Sequence, residues 1–185
     1  TPRKDRPQPR RPRISARAVN LHPAVSFGSA LLGKDVTFWY NQFLGKPPHN
    51  DAPTFWHQDE AYWGRNLDDK GITCWIPLQD VDRTNGCMHF IDASHRDGVL
   101  GHTLVEGVKS DLLRCEPDES RAVACEISRG DVTFHHSATV HMTTANDTDR
   151  WRKALTQHFQ TLDAGGEGAG EGDQMDGAAG VFQQT

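Results

Sequence analysis

Residues 131–160 read DVTFHHSATVHMTTANDTDRWRKALTQHFQ, and this stretch decides the fold. Three short runs, DVTFHH (131–136), ATVHM (138–142) and RKALTQHFQ (152–160), carry the β-branched and aromatic residues that fit a pleated, half-buried surface, and turn-forming residues separate them. Upstream the same grammar recurs in DVTFWYNQFL (35–44), closed by GKPP, and in TFWHQ (54–58), ITCWIPLQDV (72–81) and CMHFID (87–92). Asn85-Gly86, between two of these runs, is the strongest hairpin signal in the chain. Residues 15–33 predict the one helix, with Ala18, Val19, Leu21, Val25, Leu31 and Leu32 on one side, Pro23 interrupting and Gly33 as its stop. Many short strands without βαβ alternation imply a mainly β protein: a double-stranded β-helix, or jelly roll, with an N-terminal helix.

The two ends differ from this core. Residues 1–17 hold seven Arg or Lys against one Asp among several prolines, so no apolar face can be drawn and an extended basic arm is expected. Residues 163–185 are Gly-rich with only acidic charges, the composition of a flexible tail. Residues 18–162 remain as one domain, a length suited to a single core. The net charge of −5 gives no field that gathers polyanions, so nucleic acid is not an expected partner. No stretch approaches the about 18 apolar residues of a membrane span, and no signal-peptide core opens the chain. Cys74, Cys87, Cys115 and Cys125 show no CxxC spacing and are expected as reduced thiols of a cytoplasmic protein. The sequence carries no signal for an oligomeric state.

Chemistry concentrates at His57-Gln58-Asp59. In a strand, residues i and i+2 share a face, so an imidazole and a carboxylate can aim at one point while Gln58 faces away. His141 is the natural third ligand, with His135 and His136 as rivals a few residues earlier. Two histidines and one carboxylate on one face of an octahedron leave the opposite positions open, the arrangement of non-haem Fe(II) oxygenases. A structural zinc site would close its fourth position.

Beyond the triplet, LLGKDV, KPP, WHQDEAYW, NGCMHFIDASHR, GDVTFHHSATVHMTTAN and DRWRKALTQHF follow one another from about Leu31 to Phe159. In this order they resemble the phytanoyl-CoA dioxygenase family. The resemblance implies Fe(II) held by His57, Asp59 and His141, with 2-oxoglutarate and O₂ as cosubstrates. It implies that Arg152, eleven residues after His141, grips the far carboxylate of 2-oxoglutarate, a task that suits a permanently charged fork. Arg150 is the rival for that role. By the same resemblance Trp75 and Thr143 contact the cosubstrate and Gln42 adds a further contact, although Trp75 equally fits a plain core position. The implied reaction hydroxylates an unactivated C–H bond of a small molecule while 2-oxoglutarate is decarboxylated to succinate. Related halogenases carry Ala or Gly where Asp59 stands, so the carboxylate argues for hydroxylation, desaturation or ring formation.

The chain departs from the family pattern in places. MTTAN replaces GSGPN after His141, setting larger side chains and a thioether beside the metal and narrowing the pocket. DASH replaces PGSH at 92–95, where His95 is expected as a loop hydrogen-bonder. Family members are commonly longer, so this chain is expected to be a shortened form. Tyr62, Trp63 and Arg65 are placed to line the entrance, and the stretch 98–129 is long enough for a lid. Members act on acyl-CoA thioesters, osmolytes, phosphonates and secondary metabolites, so the resemblance selects no substrate. Two other classes compete: a non-catalytic jelly-roll binding module, and a cupin-type metal-dependent isomerase or hydrolase, which has no need of an arginine placed for a dicarboxylate.

Overall fold

The computed structural model describes residues 23–63, 71–107, 111–162 and 181–183. Helix α1 (Pro23–Leu32) opens on a proline, tolerated in a first turn because that N–H needs no partner there. It stops at Gly33, whose φ of +67° is left-handed, with Lys34 N–H returning to the Ser29 carbonyl at 3.2 Å. The expected helix residues before Pro23 lie outside the described residues, as do the arm at 1–17 and the tail at 163–185, except for a short strand at 181–183.

The strands are β1 (Val36–Lys46), β2 (Thr54–His57), β3 (Gly71–Pro77), β4 (Met88–Ile91), β5 (Thr103–Leu104), β6 (Leu113–Arg114), β7 (Ala122–Cys125), β8 (Thr133–His136), β9 (His141–Thr143), β10 (Arg152–Thr161) and β11 (Val181–Gln183). A five-stranded sheet runs β11-β1-β10-β3-β8 and a four-stranded sheet runs β2-β9-β4-β7, with β5 and β6 as a separate pair. All pairings are antiparallel except that of β11 with β1. This is the expected mainly β, jelly-roll architecture.

The five-stranded sheet is covered on both faces, which is why β3 is buried almost throughout. On its outer face α1 packs Ala24 and Val25 against Val36, Ile72, Cys74 and Phe159. Gly28 permits this approach, since a Cβ there would stand 3.3 Å from methyls of both Ile72 and Val36. On the inner face Trp75, Ala154 and Leu44 meet Cys87, Met88 and Phe90 of the second sheet and its approach.

Two expectations are corrected here. Asn85-Gly86 does form a turn, with Gly86 at φ +91°, but the strands it joins do not pair. β3 pairs with β10 and β8 while β4 pairs with β9 and β7, so the turn crosses between sheets. The local signal specified the reversal, and burial of β3 on both faces decided its partners. The stretch 98–129 is likewise no single lid, because it contains the β5–β6 pair and edge strand β7.

Candidate active site

Antiparallel pairing orders the inner face of the five-stranded sheet into rows of side chains. His135 of β8 pairs with Thr73 of β3, Thr73 with His158 of β10, and His158 with Tyr40 of β1. Two residues further along, about 7 Å by strand geometry, the next row reads Thr133, Trp75, Thr156 and Gln42. Then come Pro77, Ala154 and Leu44, and last Arg152 with Lys46. A β-bulge between Phe38 and Tyr40 sets this register: Phe38 pairs with Phe159 on the helix side, and the extra residue turns Tyr40 inward.

Above the first row stand His57 and His141, direct partners across β2 and β9. Each ring is fixed the same way, His57 Nδ1 bonding the Phe55 carbonyl at 2.7 Å and His141 Nδ1 the Thr139 carbonyl at 2.8 Å. A carbonyl only accepts, so Nδ1 carries the proton in both rings and each Nε2 keeps its lone pair. Asp59 Oδ1 lies 3.9 Å from the His57 Nε2 and 3.6 Å from the His141 Nε2. One donor atom from each residue falls within 4.8 Å of the others, a cluster able to hold a metal ion.

Asp59 arrives there by another route than i, i+2 alternation. β2 ends at His57, and Asp59 is the first residue of a short helix, α2 (Asp59–Trp63). Gln58 makes the turn possible. Its fully buried side chain donates to the Gly98 and Ala138 carbonyls at 2.8 and 2.6 Å and accepts from Leu100 N–H at 2.8 Å. Its own N–H donates to His102 Nε2 at 3.1 Å. Gln58 therefore faces away from the cluster, as expected, and anchors the chain between two of its members.

Charge in the cluster suits a divalent cation. Burial, and then its neighbouring histidine charges, push His141 well below the ordinary histidine range, and burial lowers His57 as well. For Asp59 burial acts upward, yet His141, His135 and His158 together outweigh it and hold the carboxyl well below its usual range. Two neutral imidazoles and one carboxylate result, a ligand-ready set that needs no proton removed at neutral pH.

The rivals separate by face. His135 points inward, but its Nε2 addresses the outer oxygen of Asp59, Oδ2, at 3.3 Å. His136 points outward, where Ala138 N–H donates to its Nδ1 and its ring meets that of His95 at 5.6 Å. Arg150 is exposed, whereas Arg152 is 3% exposed. The Arg152 guanidinium reaches back over Trp75, 5.7 Å from the ring centroid, and its Nε and Nη1 are buried with no hydrogen-bond partner among the described residues. Trp75 Nε1 and Thr133 Oγ1, in the second row, are buried without partners among the described residues too. Burial lowers Arg152 to about 10, so it remains a cation at neutral pH.

Gln42 takes its place in the Trp75 row, half-buried. Thr143 is buried on β9, its hydroxyl turned to Thr54 Oγ1 at 2.9 Å. Met142 corrects an expectation: it alternates with buried His141 and Thr143 and so lies on the opposite face of β9, leaving the pocket side unnarrowed by its thioether. Tyr62 stands edge-on to His57 at 5.6 Å, its hydroxyl accepting Leu113 N–H at 2.8 Å, while Trp63 turns inward and donates to Tyr40 Oη at 2.7 Å. Arg65 lies outside the described residues.

Sequence reasoning missed Thr73, Thr133, His158 and Lys46. The alternation of β10 from Arg152 through Ala154 and Thr156 to His158 was the available signal for His158. Lys46 opens the KPP block, to which no chemistry was assigned, yet it is 2% exposed beside Arg152 and donates to the Ala52, Thr143 and Thr144 carbonyls at 3.1, 3.3 and 2.6 Å. Burial and then the Arg152 charge drive Lys46 down to about 6, against the pull of those three acceptors.

A jelly roll with a metal-competent His-Asp-His cluster between its sheets and a buried arginine three rows away places the chain in a class, the cupin-like proteins. Within it the chain belongs to the phytanoyl-CoA dioxygenase (PhyH) family, whose profile matches residues 4–154. It is 24% identical over 155 residues to the peroxisomal phytanoyl-CoA dioxygenase of Homo sapiens, an alignment covering 80% of this chain and 46% of that protein. Among solved structures, EvdO2 from Micromonospora carbonacea var. aurantiaca, complexed with 2-oxoglutarate, is 30% identical with a TM-score of 0.68, over 80% of this chain and 61% of that one. SnoN, a non-haem α-ketoglutarate-dependent epimerase of nogalamycin biosynthesis, is 25% identical with a TM-score of 0.61, over 75% of this chain and 52% of that one. The chain spans about half the length of the curated relatives it matches. Among the described residues no helix is long and apolar enough to cross a membrane.

Proposed function

We propose that this chain is the catalytic core of an Fe(II)/2-oxoglutarate-dependent oxygenase acting on a small molecule. His57, Asp59 and His141 hold the iron, and Arg152 receives the far carboxylate of 2-oxoglutarate. The observation that carries this reading is the pairing of the metal-competent cluster with a buried guanidinium that has two unused donors. Burying an unpaired cation costs several kcal/mol, and a metal-dependent isomerase or hydrolase gains nothing from it. A dicarboxylate cosubstrate supplies the missing anion. EvdO2, similar over most of this chain, binds 2-oxoglutarate.

The donor set fits iron, and bound iron with 2-oxoglutarate supplies the oxidising equivalents: substrate, 2-oxoglutarate and O₂ give hydroxylated substrate, succinate and CO₂. The chain's own residues bind and orient. The carbonyls of Phe55 and Thr139 keep the two Nε2 atoms bare, Arg152 fixes the direction of the cosubstrate, and Trp75, Thr133, Thr143 and Gln42 line its course. Trp75 and the sheet behind it exclude water from the carboxylate, which strengthens the Arg152 contact.

Hydroxylation of an unactivated C–H bond is the outcome we assign. SnoN favours a second one, since an epimerase shares this scaffold. A mass gain of one oxygen in the product separates hydroxylation from epimerisation, which leaves the mass unchanged. Anaerobic titration of the Fe(II)-loaded chain with 2-oxoglutarate tests the reading before any substrate is known. A visible charge-transfer band that is absent in Asp59→Ala is expected. Iron binding without a band rejects the cosubstrate, and no iron binding favours a binding module.

A further inference from the structure

We propose that Thr73 and His135 make Asp59 a one-oxygen ligand, holding its outer oxygen so that a coordination position stays free for the cosubstrate. This rests on the oxygenase reading. Thr73 Oγ1 donates to Asp59 Oδ2 at 2.6 Å, and His135 Nε2 lies 3.3 Å from the same oxygen. The other oxygen, Oδ1, faces the two ligand imidazoles. A threonine hydroxyl has one proton, already given to Asp59, so His158 Nδ1, 2.9 Å away, must donate to Oγ1. That leaves His158 Nε2 bare, and it is buried without a partner.

The arrangement is rigid because its members form one row across four strands, His135, Thr73, His158 and Tyr40. Tyr40 stacks on His158 with centroids 4.3 Å apart and planes 20° from parallel. Trp63 packs edge-on to His158 at 5.6 Å and donates to the Tyr40 hydroxyl. Trp63 ends the helix that Asp59 begins, so the row grips α2 at both ends. Three protein ligands, two cosubstrate atoms and O₂ fill six positions. A carboxylate free to chelate through both oxygens would take one of them. Thr73 and His135 are thus positioning residues, acting through Asp59.

The test measures Fe(II) affinity and 2-oxoglutarate affinity separately, by anaerobic calorimetry and the charge-transfer band, in the parent chain, Thr73→Val and Thr73→Ser. Valine keeps the volume and removes the donor. Losing an outer partner of a ligand costs about 10–100-fold, and here that loss is expected in 2-oxoglutarate affinity. Fe(II) affinity is expected to be kept, because the freed second carboxylate oxygen is available to the iron, and serine to restore 2-oxoglutarate affinity, because only the hydroxyl matters. His135→Phe, beside Phe90, removes the other donor and is expected to give the same split should the valine variant fail to fold. Unchanged 2-oxoglutarate binding, parallel loss of iron, or failure of serine to rescue would each overturn the proposal. A parent chain that binds no iron or no cosubstrate removes the functional reading itself, a distinguishable result.

Discussion

Replacing Arg152 with methionine sets the folding of this chain against its function. In the ligand-free chain the Nε and Nη1 donors are buried and unpartnered among the described residues, and burial, then the Arg152 charge, drives Lys46 down to about 6. Methionine fills much of the same volume against Trp75, loses a cation–ring contact worth about 1 kcal/mol and relieves a buried charge that costs several kcal/mol. The metal-free Arg152→Met chain is therefore expected to melt no lower than the parent. Cosubstrate binding moves the other way. Each hydrogen bond from a charged donor is worth about 1.5–3 kcal/mol, so losing two weakens 2-oxoglutarate by about 3–6 kcal/mol, or roughly 10²–10⁴-fold. Thermal melts of Fe(II)-loaded protein, with and without 2-oxoglutarate under nitrogen, read both quantities. At a hundredfold excess over its Kd the cosubstrate stabilises the parent by about 2.7 kcal/mol, and the variant is expected to show no shift while still binding iron. A variant that melts far below the parent, or keeps the ligand-induced shift, refutes the reasoning.

Three further outcomes follow from particular contacts. Asn146 is fully buried, with Nδ2 donating to the Lys46, Pro47 and Arg150 carbonyls and Oδ1 accepting from Thr148. Asn146→Ala strands several of these groups, and urea unfolding should show a loss of about 3–5 kcal/mol. Gly86→Ala sets a Cβ 2.9 Å from the Thr144 carbonyl at φ +91°, so about 1–3 kcal/mol of strain is expected from the same measurement. Burial holds His158 down to about 4, below the about 6.5 of an unfolded histidine. As pH falls below 6.5 the unfolded chain takes up the proton first, so stability is full above that point and is lost toward pH 4. His158 alone accounts for about 3 kcal/mol of that loss. His57 and His141 act in the same direction. The urea midpoint of metal-free protein should therefore drop between pH 7.5 and pH 5; a flat profile contradicts the burial argument.

Seven of the eleven strands among the described residues were legible because β-branched and aromatic runs stood between turn residues, while β5, β6 and β7 lay in the stretch expected as a lid and β11 in the expected tail. Partner choice was not. The Asn85-Gly86 signal is local, while pairing is set by which faces are covered, and α1 covering one side of β3 is a long-range fact. His57, Asp59 and His141, expected as ligands from the HxD pattern and the family resemblance, come together in the structure, and burial separates Arg152, whose role the resemblance implied, from its rival Arg150. Asp59 joins the cluster by a route other than the expected i, i+2 alternation: the strand ends at His57, and a buried Gln58 makes the turn that delivers the carboxylate.

Thr73, Thr133 and His158 escaped notice for a single reason. Each belongs to a row across the sheet, and a row is defined by register between strands far apart in the chain, as with Thr73 and His158, 85 residues apart. Yet the rows explain where unsatisfied chemistry gathers. Arg152 Nε and Nη1, Trp75 Nε1, Thr133 Oγ1, His135 Nδ1 and His158 Nε2 all lie on the inner face of one sheet, at the positions the sandwich encloses. A core selected for stability alone would satisfy such groups or replace them with apolar ones. Gln157 Oε1 and Thr161 Oγ1, on the helix side, are buried without partners among the described residues as well, but the inner-face groups lie between a metal-competent cluster and a buried cation, where bound ligands would complete the polar interior. It follows that iron and 2-oxoglutarate should raise the stability of this chain together, and that substitutions along the inner rows should trade ligand affinity against the stability of the empty fold.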